Sequence, residues 1–350
     1  MWVYITGCLA SVVMMWFTSK VKYKRESAWH SFLVAFFSAL PLIYIAAIRY
    51  NVGKDYMNYK NLFIQIADGS NRYSVEPLYL WLNKGLAAVG FDYVSVFFAT
   101  SFIFLLFIFL AIYNDSPNRM LSAFLVVCTG FYFTFMNGTR QMMACAILLW
   151  SLKYVKEKKF VPYLITVVIA AGFHYTSLIF IVAYFIGNWT INRKWLIALT
   201  SMAFLLSTPL ANLLNRIISS SYYTDYVGGQ FDVEAKGYVT LLITAAIMAF
   251  ATVFYEDSAE YKLYYSLQAV ALVLAGLNGK VVLVNRIRWI FGLPVIILVP
   301  LAISNIKNEK ARTMITAGIV ILYAIYFYYT IGINNSNNVL PYDTIFNHIN

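Results

Sequence analysis

Residues 93–113 read YVSVFFATSFIFLLFIFLAIY and contain no charged side chain. An α-helix needs about 20 consecutive apolar residues to cross the hydrocarbon core of a bilayer, so this stretch is long enough to span a membrane. A helix that is apolar on every side belongs either in a membrane or in the middle of a large core. The stretch therefore favours a membrane protein.

Similar runs recur along the 350 residues, of which 61% are hydrophobic and only 12% are charged. The charged share is about half that of a typical soluble domain. Apolar runs lie near residues 2–19, 29–48, 93–113, 121–136, 139–155, 160–173, 174–188, 195–214, 237–255, 263–284, 289–305 and 312–331. They predict an all-α polytopic integral membrane protein with about twelve transmembrane helices, within a range of about 10–14. No stretch resembles a soluble domain, so residues 1–350 are expected to form a single membrane domain.

The net charge of +11 does not indicate a nucleic-acid-binding protein, because the basic residues are scattered between apolar runs. Positively charged loops favour the cytoplasmic side of a membrane. Lys20, Lys22, Lys24 and Arg25 follow the first run, so the first connection is expected inside. Alternation then places fifteen of the 26 lysines and arginines inside and leaves eleven outside, where topology does not require them.

Two connections on the expected outer side are long. Within residues 49–92, apolar side chains recur at helical spacing from residue 56 to residue 66, which predicts a short amphipathic helix in the interface. A second such helix is expected from Glu76 to about Ala88. The other connection, residues 215–236, is rich in tyrosine and glycine.

The segment RYNVGKDYMNY, residues 49–59, lies where the second apolar run ends. Arg49 and Lys54 offer donors to an anion, Asp55 offers a carboxylate, and Asn58 lies one helical turn later. An alternative is an interfacial anchor, since Arg and Tyr side chains commonly lie at the depth of the lipid headgroups.

Three further arginines lie at expected outer boundaries. Arg140 is a site candidate because an ionisable group at the edge of the membrane commonly has a function, and arginine binds phosphate oxygens with two parallel bonds. The alternative is a side chain that merely extends to the headgroups. Arg286 and Arg288 lie two residues apart, so a continuous helix would point them in different directions.

His174, within GFHYTS at residues 172–177, is a candidate base, since a neutral imidazole accepts a proton near pH 7. The alternative is a hydrogen-bonded core histidine. Gly-rich phosphate loops, zinc-binding motifs and Asp-x-Asp pairs are absent from the sequence, so neither a metal nor another cofactor is expected.

Four of these motifs, in this order, resemble signatures of the EpsG family. They are RYxVGxDYxNY at residues 49–59, EPLY at 76–79, RQxxA at 140–144 and FHxTS at 173–177. The resemblance covers roughly residues 40–190, and Lys54 departs from it, because the family often has a small or hydroxyl residue there.

This family comprises Wzy-like polymerases of bacterial capsule, O-antigen and exopolysaccharide. The resemblance implies a GT-C-like fold in the bacterial cytoplasmic (inner) membrane, with the active site facing the periplasm or the exterior. It implies an undecaprenyl-pyrophosphate-linked oligosaccharide as substrate and the lipid bilayer as partner. A chain-length regulator and a flippase are further expected partners.

The expected reaction is glycosyl transfer between two lipid-linked repeat units. His174 is the expected base with Asp55 as its rival. Arg140 and Arg49 are expected to stabilise the pyrophosphate leaving group, with Arg286 or Arg288 as further candidates. The predicted substrate-binding residues are Arg49, Lys54, Asn58, Tyr59, Glu76, Gln141, Arg286 and Arg288. Alternatives are a transporter or flippase for lipid-linked sugars, an O-antigen ligase-like or acyl-transferring enzyme, and a structural subunit of an export assembly.

Overall fold

A computed structural model describes residues 1–20, 28–70, 74–188, 193–206, 209, 211–213, 237–278, 280–281 and 284–348. The α-helices in this part of the chain are α1 (Trp2–Lys20), α2 (Ala28–Ala47), α3 (Tyr56–Ala67), α4 (Pro77–Ala88), α5 (Val94–Asp115), α6 (Arg119–Cys128), α7 (Phe131–Asn137), α8 (Thr139–Lys156), α9 (Phe160–Phe173), α10 (Val182–Asn188), α11 (Arg193–Leu205), α12 (Gly237–Val253), α13 (Ala259–Gly276), α14 (Val284–Gly292), α15 (Val295–Ser304) and α16 (Glu309–Phe327). A 3₁₀-helix at Tyr175–Ile181, a π-helical turn at Tyr328–Ile333 and a 3₁₀-helix at Ile345–His348 complete them.

The helical class predicted from the sequence is confirmed. Within the described ranges, five helices are long and apolar enough to cross a membrane: α1, α2, α5, α14 with α15, and α16 with the π-helical turn. The pair α6 and α7, bent by 47°, is a sixth candidate. These helices are typical of a multi-pass membrane protein. Twelve spans and the GT-C-like fold stay predictions.

Both amphipathic helices predicted between the second and third apolar runs are present, as α3 and α4. Helix α3 buries Tyr56, Phe63 and Ile66, which lie on one face as their spacing predicts. Helix α4 begins at Pro77, which suits the first helical position because its missing N–H has no helical partner there.

The main apolar core draws side chains from nearly the whole described chain, from Tyr4 in α1 to Val339 in the C-terminal tail. Cys8, Cys128 and Cys145 are all buried as free thiols, as expected for small apolar side chains. The bend between α6 and α7 comes at Gly130, whose φ of +90° favours glycine.

Some sequence predictions fall outside the described residues. They are the inner basic residues Lys22, Lys24 and Arg25, and the tyrosine-rich outer connection at 215–236.

Candidate active site

Glu76 lies at the centre of a polar cluster at one end of the helix bundle. It precedes α4, and the proline that follows holds its backbone extended, at φ −57° and ψ 141°. The residue is only 6% exposed. A carboxylate this buried requires partners, since an uncompensated charge is costly away from water.

The two oxygens of Glu76 have different partners. Oε2 forms an ion pair with Nη1 of Arg140, which lies in the first turn of α8. Oε1 lies 2.9 Å from Nδ1 of His174, which follows the last turn of α9. The Arg140–Glu76–His174 cluster thus joins three segments that are far apart in the sequence.

The contact with Glu76 determines which nitrogen of neutral His174 carries the proton. A carboxylate only accepts hydrogen bonds, so Nδ1 must donate and Nε2 is left with its lone pair. This Nε2 atom is buried and has no hydrogen-bond partner within the described chain. A histidine oriented by a carboxylate, whose other nitrogen keeps an unused lone pair, is an arrangement suited to general-base catalysis.

Opposing influences set the pKa of Glu76. Burial raises it, but the hydrogen bond from His174 and the positive charge of Arg140 together leave the pKa below its ordinary value. Glu76 is therefore ionised at neutral pH, and it keeps Arg140 in a fixed orientation. Only one guanidinium nitrogen of Arg140 binds Glu76, and its side chain is 31% exposed, so further N–H groups are available to an anion.

Two tyrosines line the cluster. The guanidinium carbon of Arg140 lies 5.7 Å from the ring centroid of Tyr79 in α4. Tyr59 of α3 is a second neighbour of Arg140. Burial raises the pKa of its phenol, and the positive charge of Arg140 acts in the opposite direction. The planes of the Tyr59 and Tyr79 rings are inclined by 64°, and the ring centroids lie 6.2 Å apart. Tyr79 is fully buried beside Arg140, whereas Tyr59 is partly exposed and offers an aromatic ring to a ligand near the cation.

The predicted loop between α2 and α3 packs against the end of α7. The amide N–H of Lys54 donates to Oδ1 of Asn137, at 2.7 Å. Gly53 has a φ of +99°, and a Cβ there would lie 2.8 Å from the same Oδ1 atom, so only glycine fits. Asp55 accepts a hydrogen bond from Asn58 at 3.1 Å, as their spacing of one turn predicts.

Arg49 is placed differently from the other predicted residues. Its side chain is fully buried. Its nitrogens donate to the main-chain oxygens of Ala46, at 2.6 Å, and Met136, at 3.4 Å. The guanidinium lies 4.7 Å from the ring centroid of Phe97. Arg49 therefore links the ends of α2, α5 and α7 and forms no ion pair with a described residue.

Helix α14 joins the same end of the bundle through its backbone. Nε2 of Gln141 donates to the main-chain oxygen of Arg286, at 2.6 Å. Because α14 is continuous, Arg286 and Arg288 point in different directions, as their spacing predicts. Nε of Arg288 donates to Oδ1 of Asn285 at 3.1 Å.

Two features of the site, the bridge formed by Glu76 and the anchor formed by Asn137, go beyond the sequence predictions. Glu76 was expected to bind substrate, and its bridge between Arg140 and His174 is visible only in three dimensions. Asn137 is not among the site residues predicted from the sequence, yet it anchors the loop that carries Lys54.

Comparison with known proteins adds one positive finding. No curated protein and no solved structure matches the chain. A family model described as the EpsG family matches residues 32–344, well beyond the range of the four motifs. Because this match covers nearly the whole sequence, the chain belongs to the EpsG family of polysaccharide polymerase-like membrane proteins.

Proposed function

We propose that this protein is a membrane glycosyltransferase that polymerises polyprenyl-pyrophosphate-linked oligosaccharide repeat units. The observation that carries the proposal is the Arg140–Glu76–His174 cluster in a chain of the EpsG family. The cluster supplies a base and a cation within reach of one carboxylate. Glycosyl transfer from a pyrophosphate donor needs both groups.

The proposed reaction forms one bond and breaks another. A hydroxyl oxygen of the acceptor repeat attacks the anomeric carbon of the donor, and the bond from that carbon to the pyrophosphate oxygen breaks. The hydroxyl proton passes to Nε2 of His174, whose Nδ1 proton is held by Glu76. General-base assistance of this kind typically contributes about 10²–10⁴-fold.

Negative charge grows on the pyrophosphate as it leaves. Arg140 is the proposed donor to this charge, through the guanidinium N–H groups that Glu76 does not occupy. Removing a preorganised donor to developing charge commonly costs about 10²–10³-fold in rate. Lys54 is a second cation on the loop anchored beside the first turn of α8. The partly exposed ring of Tyr59 is the proposed contact for the sugars.

His174 is favoured over Asp55 as the base because of their surroundings. The orienting contact with Glu76 leaves His174 an unused acceptor nitrogen. Asp55 instead accepts a hydrogen bond from Asn58, and no described side chain orients it as Glu76 orients His174. We assign Asp55 and Asn58 to substrate binding.

The finer assignments follow the family. We propose undecaprenyl pyrophosphate as the lipid carrier and a capsule, O-antigen or exopolysaccharide as the product. The site would face the outer side of the bacterial cytoplasmic membrane, where α3 and α4 would lie in the interface. The charge distribution supports this orientation, because the cluster of lysines at residues 153–159 lies at the other end of α8 from Arg140.

The test is synthesis of polymer from purified components. The protein, reconstituted in proteoliposomes with lipid-linked repeat units alone, should produce a ladder of products differing by one repeat. His174→Ala and Arg140→Ala should abolish the ladder, while Arg312→Ala, which removes a surface ion pair with Glu309, should retain it. Movement of the substrate across the membrane without new glycosidic bonds would show a flippase instead. Transfer only to an added second acceptor would show a ligase.

A further inference from the structure

Residues 334–345 fold back against the segment that follows α2. We define the C-terminal segment as residues 334–345, which follow the π-helical turn. It runs back antiparallel to the chain that leaves α2. Arg49 and Thr344 form a β-bridge, and the amide N–H of Tyr50 donates to the main-chain oxygen of Asp343 at 3.0 Å.

The segment also reaches the Lys54 loop and the core. The amide N–H of Gly53 donates to the main-chain oxygen of Asn338, at 2.9 Å. The hydroxyl of Tyr342 donates to the main-chain oxygen of Ile45, at 2.8 Å. Bonds on both sides of the loop therefore come from residues almost 300 positions later in the sequence.

The side chain of Asn335 forms hydrogen bonds within the C-terminal segment. Oδ1 of Asn335 accepts from the amide N–H groups of Val339, at 2.8 Å, and Leu340, at 3.0 Å. Nδ2 of Asn335 donates to the main-chain oxygen of Leu340 at 2.6 Å. These bonds close a tight turn within the segment.

Asn137 is the residue at which the loop, the C-terminal segment and the helix pair α7–α8 meet. Its Oδ1 accepts from the amide of Lys54, and its Nδ2 donates to the main-chain oxygen of Asn337 at 3.0 Å. Asn137 ends α7, and Arg140 follows in the first turn of α8. A side chain three residues from Arg140 thus fixes the backbone of Lys54.

We propose that Asn137, supported by the C-terminal segment, is a positioning residue that holds the Lys54–Asp55 turn in register with Arg140 for the lipid-linked donor. This inference rests on the proposed function. Loops that carry binding residues are mobile unless other parts of the fold hold them. Losing a contact that holds a binding group equally well in the ground state and the transition state raises KM and leaves kcat unchanged. The side chain of Asn137 makes three hydrogen bonds, one from the amide of Lys54 and two to Asn337, which restrain the loop backbone while the Lys54 side chain stays exposed.

The experiment compares Asn137→Ala with Asn137→Asp in reconstituted protein. Alanine removes the hydrogen bonds to Lys54 and to Asn337. Aspartate keeps the acceptor for the Lys54 amide and loses the donor to Asn337. We expect Asn137→Ala to raise the KM for the lipid-linked donor about tenfold while changing kcat less than about threefold, since the chemistry at His174 is untouched. Asn137→Asp should lie in between. Asn114→Ala, an exposed asparagine at the far end of α5, is the matched control and should behave as wild type.

Hydrogen exchange at the amides of Gly53 and Lys54 gives an independent measurement. Exchange should be slow in the wild type and markedly faster in Asn137→Ala. If that variant does not fold, Asn335→Ala, which disrupts only the C-terminal segment, is judged by the same two measurements. A wild-type KM with unchanged exchange would overturn the proposal, and so would a loss of kcat at constant KM. A wild-type ladder from His174→Ala would instead refute the proposed function.

Discussion

Oε1 of Glu76 lies 2.9 Å from Nδ1 of His174, while the other oxygen of the same carboxylate binds Arg140. One side chain thus fixes the orientation of both the proposed base and the proposed cation. A change at Glu76 must affect proton transfer and leaving-group stabilisation together. Glu76 does not need to touch the substrate to have a large effect on the rate.

Replacing Glu76 with glutamine tests this relationship. The amide keeps the size of the side chain but removes the charge, so it holds Arg140 weakly and no longer selects a single tautomer of His174. We expect kcat for repeat-unit transfer to fall by about 10²-fold or more, since both general-base catalysis and charge stabilisation are weakened. Glu76→Asp, which keeps the charge on a shorter side chain, should retain more activity than the glutamine variant. Equal activity of wild type and Glu76→Gln in single-turnover assays would contradict the assignment.

The lowered pKa of Glu76 predicts a pH dependence of stability. Its folded pKa is below the ordinary value of 4.5, so ionised Glu76 stabilises the folded protein. This stabilisation is fully present above pH 4.5 and is lost as the pH falls through the lowered folded pKa. The unfolding midpoint of the wild type should therefore exceed that of Glu76→Gln at pH 7, and the difference should shrink in acid. Thermal scans in detergent at several pH values give this difference, and a constant gap would be evidence against the ion pair.

The choice between His174 and Asp55 as base gives a third prediction. His174→Gln should lower kcat by about 10²–10⁴-fold. Asp55→Asn should mainly raise the KM for the donor, because the carboxylate of Asp55 lies in the proposed substrate-binding loop and accepts a hydrogen bond from Asn58. Steady-state kinetics on both variants, with membrane expression checked, separates the two effects. A larger loss of kcat in Asp55→Asn than in His174→Gln would reverse the roles.

The sequence predicts the local features of this protein well, because hydrophobic period and turn chemistry are local properties. Helix α5 and the amphipathic helices α3 and α4 begin and end within a few residues of their predicted positions. The partners of Glu76 could not be predicted, since Arg140 and His174 are 64 and 98 residues away and only packing brings them together. The burial of Arg49 could not be predicted either. An arginine at the end of an apolar run gives the same sequence pattern whether its side chain reaches the lipid headgroups or is buried in the protein.

Gly53 and Gly69 form a matched pair for a fourth prediction. Both have positive φ, +99° and +76°, so alanine at either position brings backbone strain of about 1–2 kcal/mol. At Gly69 an added Cβ meets no atom of the described residues within 4 Å, whereas at Gly53 it meets Oδ1 of Asn137 at 2.8 Å. Gly53→Ala should therefore destabilise the protein more than Gly69→Ala, by about 1–3 kcal/mol for the added overpacking. It should also raise the KM for the donor, which Gly69→Ala should leave unchanged. Similar unfolding midpoints and KM values for the two variants would contradict the close contact with Asn137.

A second buried ion pair, at the opposite end of α8 from Arg140, supports the fold and takes no part in the proposed chemistry. Nζ of Lys156 binds Asp115, whose side chain is only 3% exposed, and also lies 3.0 Å from Oε1 of Glu260. Lys156→Ala leaves the Asp115 carboxylate buried without its cation, and breaking such a pair costs about 3–5 kcal/mol. The control is Lys159→Ala, since Lys159 forms a solvent-exposed pair with Glu157, and such a pair adds little to stability.

Unfolding in mixed micelles measures both losses, and the activity of each folded variant should match the wild type because the site lies at the other end of the helix. Adding Asp115→Asn to Lys156→Ala should recover part of the lost stability, since no unpaired buried charge then remains. Unfolding of Lys156→Ala and Lys159→Ala at the same denaturant concentration would contradict a stabilising buried ion pair between Lys156 and Asp115.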